Sequence, residues 1–386
     1  MRPHWTRFAT VALIILALAL CALSRRGRTV SADAVGKIVT TGDMAVPRFD
    51  HTATLLPNGK VLIAAGMARD GTPEPSAELY DPHSNRFASI GKLASPRGWG
   101  STATLLQDGK VLIAGGATGS WCGASCYLAT AELYHPSTNT FTSVGNMTEA
   151  RAGARAVLLQ NGDVLIVGGN ISSDTQPTVT AELYHHATHT FSVTGGPSAG
   201  ATVLLLLKDG KVLALTGSRA ELYDPSSGHF VASGEFLIPR GKFGAALLLD
   251  GKVLVAGGRV SDTPGLRSDT EIYDPVTGKF TIGPKMNLKR YKLMKATVAL
   301  TNGDVLIGGG ADHPEIYNPV SNSFDLVRGS TLDGYCFSTA TVLPNGEVLL
   351  AGGYNTSTWV AVNHAWIYDP ARRAMRVDPM VALRHE

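Results

Sequence analysis

Six glutamates recur at matching places along the chain: Glu78, Glu132, Glu182, Glu221, Glu271 and Glu315. Carboxylates in that number are the raw material of general acid–base work. Five arginines recur as well: Arg48, Arg97, Arg151, Arg240 and Arg290. Arg259 stands apart from them. A ring of guanidiniums would clamp acidic groups through paired hydrogen bonds. A scattered set of aromatics (Trp99, Trp121, Tyr127, Tyr291, Tyr335, Tyr354 and Trp359) could stack on a sugar ring or grip a peptide. His135 and His185 stand where sister positions hold Asp. Cys122 and Cys126, inside Trp121-Cys122-Gly123-Ala124-Ser125-Cys126, could close a small disulfide loop in an oxidising compartment. A metal site there would need two further ligands, and the spacing supplies none.

These residues are placed by one unit that repeats seven times. Its first line reads Ala53-Thr54-Leu55-Leu56-Pro57-Asn58-Gly59-Lys60-Val61-Leu62-Ile63-Ala64, a strand, a tight turn and a second strand. The Asn-Gly or Asp-Gly step returns at Asn58, Asp108, Asn161, Asp209, Asp250, Asn302 and Asn345. Such pairs tolerate positive φ and predict a two-residue hairpin turn. The second line is Glu-Leu-Tyr-Asp-Pro, a turn and an aromatic, around Tyr80, Tyr134, Tyr184, Tyr223, Tyr273, Tyr317 and Tyr368. The following aromatics are Phe87, Phe141, Phe191, Phe230, Phe280 and Phe324, with Met375 in the last copy. Each unit therefore holds four short strands, called A to D in chain order. Seven units of about 50 residues predict an all-β, seven-bladed β-propeller of four-stranded antiparallel blades over 35–386. Strand B is apolar at every position, as a strand packed between two blades must be.

The chain resembles the kelch-repeat family. The Gly doublets ending strand B carry that resemblance: Gly115-Gly116, Gly168-Gly169, Gly257-Gly258, Gly309-Gly310 and Gly352-Gly353. So do the later Tyr, its aromatic, and the Met-x-x-x-Arg link at Met44–Arg48 and Met147–Arg151. The first unit has Ala65-Gly66 and the fourth Thr216-Gly217, with a very short link after it, so a trimmed or distorted fourth blade is expected. Either Val35–Met44 or Ala374–Met380 is placed to supply the closing outer strand.

Whatever recurs in every copy is accounted for by the fold. The Glu series falls on strand C of six blades, and the Asp, His or Asn after Tyr satisfies a turn. What remains is individual. The D–A and B–C links emerge on one face and are long and dissimilar. The exceptional aromatics lie there. Trp99, Trp121, Tyr127, Tyr291, Tyr335, Tyr354 and Trp359, with Arg151, Arg240 and Arg259, form the candidate binding set, although most of the arginines belong to the repeat link.

Composition limits the function. Residues 1–34 carry five Arg and one Asp, a balance of +4, against +3 for the whole chain. The rest is therefore at −1, which does not suit a nucleic-acid partner. Arg2 and Arg7 precede Phe8 to Leu23, a run apolar apart from Thr10 and about 24 Å long as a helix. Residues 1–34 are expected to be an apolar targeting helix with a basic linker, either a cleaved signal peptide or a retained membrane anchor. The body would then work outside the cytoplasm, touching a membrane only through that segment. Asn146, Asn170 and Asn355 begin glycosylation sequons.

Two functions follow. The first is a cofactor-free binding module that recognises a glycan, wall fragment or protein through the D–A/B–C face. The second comes from the resemblance, since similar propellers form the core of galactose oxidase-like copper enzymes and of some sugar isomerases. Copper would need His and Tyr ligands with a nearby Cys. His51, His313, Tyr335 and His364, with Cys336, are the candidates.

Overall fold

In the computed structural model, residues 35–370 are described except 120–122, 172–176, 261–264, 332–334, 356 and 359. The predicted targeting run and Met375 lie outside the described residues. Among the described residues no helix is long and apolar enough to cross a membrane.

The repeat folds as its pattern dictates. Blade 1 is Thr52–Leu55, Val61–Ala64, Ser76–Asp81 and Arg86–Lys92, hydrogen-bonded in chain order and antiparallel throughout. Five more four-stranded sheets follow the same order, starting at Thr102, Arg155, Val203, Gly244 and Thr297. Each B strand is wholly buried, and its alternate residues serve two cores. Leu62 and Ala64 pack with Val111 and Ile113 of blade 2. Val61 and Ile63 pack with Leu349 and Ala351 of blade 7. A period-2 strand wedged between two sheets must be apolar on both sides. Each such side chain contributes about 1.5–3 kcal/mol by leaving water.

The seventh blade closes the ring with both ends of the propeller. Thr339–Val342, Val348–Ala351 and Ala365–Asp369 supply strands A to C, and Lys37–Thr40 joins them as the outer strand. Lys37 pairs with Asp369 and Thr40 with Trp366, while Val39 packs into the core between blades 7 and 1. Of the two closing strands expected from sequence, the N-terminal one takes this place.

Two expectations are corrected. The A–B turn is a three-residue loop: the Leu56 N–H donates to the Lys60 carbonyl (2.8 Å) and the Gly59 N–H to the Leu56 carbonyl (2.9 Å). Only Gly59 holds a positive φ (80°), because Pro57 is fixed at negative φ and Asn58 is spent on the Lys60 N–H (3.1 Å). The fourth blade is complete, with Arg219–Asp224 and His229–Glu235 as strands C and D. Its short B–C link is closed by Thr216, whose N–H and carbonyl-facing hydroxyl both bond the Arg219 carbonyl (2.9 and 3.2 Å).

Candidate functional site

The repeated charges face inward. Arg48 donates from Nη1 to the Ala65 and Ser76 carbonyls (3.2 and 2.9 Å) and from Nη2 to Glu78 Oε1 (2.8 Å). Glu78 in turn accepts from the backbone N–H groups of Ala45 and Val46 (2.7 and 3.3 Å). The same device stands at Arg97–Glu132, Arg151–Glu182, Arg240–Glu271 and Arg290–Glu315 (2.7–2.9 Å), all with side chains essentially out of water. It staples the link entering a blade to strands B and C of that blade. The terminal guanidinium nitrogens of Arg151 and Arg240 are thus held inside their own blades, with the side chains out of water. Neither can clamp a ligand, which corrects the expectation for these two residues. Blade 4 keeps Glu221, bonded by Ser198, but has no arginine in its link. In blade 7 Trp366 stands in the glutamate's place, and Tyr335 stacks on it (centroids 5.0 Å, 27°).

The mouth of the axis on the D–A/B–C face is ringed by one left-handed residue in each link but that of blade 4. Asp50, Lys242, Lys292 and Phe337 hold φ of 53, 54, 61 and 56°, and Gly100 and Gly153 both 75°. The Gly153 N–H donates to Gly100 O (2.7 Å), Gly100 N–H to Asp50 Oδ2 (2.8 Å), and Asp50 N–H to Phe337 O (3.0 Å). Lys292 N–H donates to Lys242 O (2.7 Å). Lys and Phe seldom adopt this conformation, so the surrounding bonds must hold them there.

Above this girdle the links of blades 5 to 7 bring a distinctive cluster together. The Lys292 ammonium lies 4.9, 4.8 and 4.8 Å from the ring centroids of Tyr291, Phe337 and Tyr354, and donates to the Tyr354 hydroxyl. Phe49 meets Tyr354 edge-on (5.3 Å). Tyr354 also bonds the Tyr291 hydroxyl and the buried Cys336 thiol. Burial pulls Lys292 down from the ordinary lysine value to about 8, and the positive charges of Lys242 and Arg259 act in the same direction. Burial likewise pushes the Tyr354 hydroxyl and the Cys336 thiol up. Lys242 and Arg259 are exposed. Three cations therefore share one rim beside aromatic faces, and the rings stabilise the middle one by cation–π attraction.

The Kelch motif family matches residues 100–148 and 240–287, which are blades 2 and 5 with parts of their links. With seven blades built on that unit, the assignment follows. The chain is a kelch-repeat β-propeller. No curated protein matches it. Among solved structures it is similar to a fungal alcohol oxidase of the AA5 family determined in complex with copper. The TM-score is 0.70 at 16% identity, covering 87% of this chain and 76% of that one. At that identity the likeness concerns the fold, which 1106 solved chains share.

The copper candidates of this kelch propeller do not fit a metal. His51 is fully buried, bonds Thr339 Oγ1 through Nε2 (3.1 Å), and has its pKa driven well below the usual value by burial and by Arg48 and Lys295. Two positive charges beside it oppose a cation. His313 lies against Asp312 (3.2 Å) and His364 against Asp43 (3.3 Å), while Tyr335 is 5% exposed beneath Trp366. Among the described residues no three His, Cys, Asp or Glu side chains converge on one point.

The remaining candidates divide. Trp99 and Tyr127 pack edge-to-face (5.9 Å) with Ala117 and Ala152, and the Trp99 indole N–H donates to the Gly119 carbonyl (3.3 Å). They close their own loops rather than present a platform. Arg259, Tyr291 and Tyr354 come together around Lys292. Trp121, Trp359 and Cys122 lie outside the described residues, and Cys126 is disulfide-bonded. His135 bonds Thr142 (2.7 Å) and His185 bonds Asp163 (3.0 Å) at the C–D turns.

Sequence reasoning missed Lys292, Lys295 and Arg155. A signal existed for each. Lys292 stands two residues after its link arginine, where blade 1 has Asp50, and six residues lie between Arg290 and strand A against three after Arg48, a surplus that carries Lys295. Arg155 opens strand A of blade 3, where the sister strands open with Thr, Val or Gly.

Proposed function

We propose that this kelch propeller is a binding module whose site is the rim of blades 5 to 7, and that it takes an acidic group of a glycan, a wall fragment or a protein. One observation carries the reading: Lys292 lies against the faces of Tyr291 and Phe337, and burial first, then the charges of Lys242 and Arg259, hold it below the ordinary lysine value. An anion placed there relieves the mutual repulsion, and the rings supply apolar contact for a sugar or peptide body. The basic, apolar start of the chain supports a location outside the cytoplasm, either released or tethered by Phe8–Leu23.

A screen on immobilised acidic and neutral oligosaccharides, wall fragments and peptides tests it. Acid-bearing ligands are expected to be retained by the wild type and lost in Lys292→Met combined with Arg259→Ala. Binding that ignores ligand charge, or that survives both substitutions, contradicts the proposal.

A further inference from the structure

Just below the mouth, the inner strands of blades 1, 2, 3, 6 and 7 line a cavity of about 290 Å³. Its wall includes Thr52, Ser101, Thr102, Arg155, Lys295 and Thr297. Two of the lining residues are cations and none is an anion. Their surroundings differ. Lys295 spends its ammonium on Asp50 Oδ1 and on the Asp50 and His51 carbonyls (2.8, 2.9 and 3.1 Å), reaching from blade 6 to blade 1. Asp50 is thereby neutralised, and its other oxygen is held by the Gly100 N–H.

Arg155 has no such partner. Its Nε donates to the Thr202 carbonyl (2.5 Å) and its Nη1 to the Gly153 and Ala154 carbonyls (3.1 and 3.0 Å). These are neutral acceptors. Nη2 makes no hydrogen bond to the described residues, and none of their carboxylates lies within ion-pair distance. Five other arginines of this propeller are each matched with a buried glutamate, so the contrast is internal to the molecule. The carboxylate whose field reaches Arg155 is Asp50, beyond ion-pair distance and already bonded to Lys295, so a partly buried guanidinium with one open edge gains from an anion that joins it. The walls also hold hydroxyls without partners. Ser101 is 2% exposed and its Oγ bonds nothing, and the buried Oγ1 of Thr297 is likewise unpaired. A turn about Cα–Cβ presents either as a donor to the cavity.

We infer that the channel is a second binding site, specific for a small oxyanion of phosphate or sulfate size, held by the open edge of Arg155 with the Ser101 and Thr297 hydroxyls as donors. The rim site and this one are independent: one takes the acidic group of a large ligand on the face, the other an inorganic-sized anion on the axis. One Arg155 donor, Nε, also ties blade 3 to the link of blade 4, which lacks an arginine of its own, so an anion there braces that join.

The test is calorimetric titration of the full chain with inorganic phosphate and sulfate, against chloride at equal ionic strength. Saturable binding is expected, weakened roughly tenfold or more in Arg155→Gln and unchanged in Lys292→Met. Binding that chloride reproduces, or that Arg155→Gln retains, overturns the inference. So does binding lost in Lys292→Met and not in Arg155→Gln, which would move the anion to the rim. Should Arg155→Gln fail to fold, crystals of the wild type soaked in selenate decide. Anomalous density beside Arg155 Nη2 supports the site, and density confined to the outer surface refutes it.

Discussion

Blades 2 and 6 begin from the same device and end differently. In blade 2, Arg97 and Glu132 are locked together (2.9 Å), and the link runs directly into strand A, with Trp99 folded back on its own loop. In blade 6, Arg290 and Glu315 make the same pair (2.7 Å), but two more residues than in blade 2 precede the strand. Lys292 reaches the rim from the left-handed position of this link, and the surplus carries Lys295 across the axis. The comparison separates two uses of charge. Charges that recur are matched, buried and structural. Of the charges that occur once, Lys295 is matched across the axis by Asp50, while Lys292 sits on the rim near other cations and is available to a ligand.

Breaking the recurring pair should have the largest effect. Arg97→Met leaves Glu132 buried without its counter-charge and is expected to cost about 3–5 kcal/mol in urea unfolding. A loss below about 1 kcal/mol would mean that the pair is not the staple described here. The singular charge should behave in the opposite way. Lys292→Met removes a partly desolvated cation, so unfolding stability is expected to hold or rise while acidic ligands are lost. A clear drop in stability would place Lys292 with the structural set. The smallest effect is expected at the ring closure: Lys37 and Asp369 are 3.6 Å apart and well exposed, so Lys37→Ala should change stability by about 0–1 kcal/mol in the same unfolding assay.

The architecture was legible because a propeller writes its period into the sequence. The turn glycines, the Tyr–Phe pairs and the all-apolar B strands each encode one blade, and seven copies count the ring. Tyr80 shows how local that code is: its hydroxyl donates to Asn85 Oδ1 (3.0 Å), and Asn85 holds the left-handed turn position (φ 55°). The closing strand was ambiguous because any short strand with Val39 on the core side satisfies the edge of blade 7. The site was less legible. Arg151 and Arg240 looked available because the sequence places the glutamates on strand C but does not show the link arginines folding in to meet them. Tyr335 looked like a ligand because nothing local shows Trp366 lying flat against it. Lys292, by contrast, is visible only as a departure from the repeat. Its environment depends on Phe337 and Tyr354, which come from another blade.

The most direct measurement is the pH dependence of acidic-ligand binding to the wild type and to Lys292→Met. Burial and neighbouring cations lower Lys292 from 10.5 to about 8, so the rim loses a positive charge as pH rises through that value. Over the same window the folded state holds fewer protons than the unfolded one, so folding stability should increase while binding declines. The account predicts an affinity that falls through about pH 8 in the wild type and a weak, flat profile in the variant. A wild-type affinity that stays level until the ordinary lysine range, or a decline of the same shape in Lys292→Met, would contradict it.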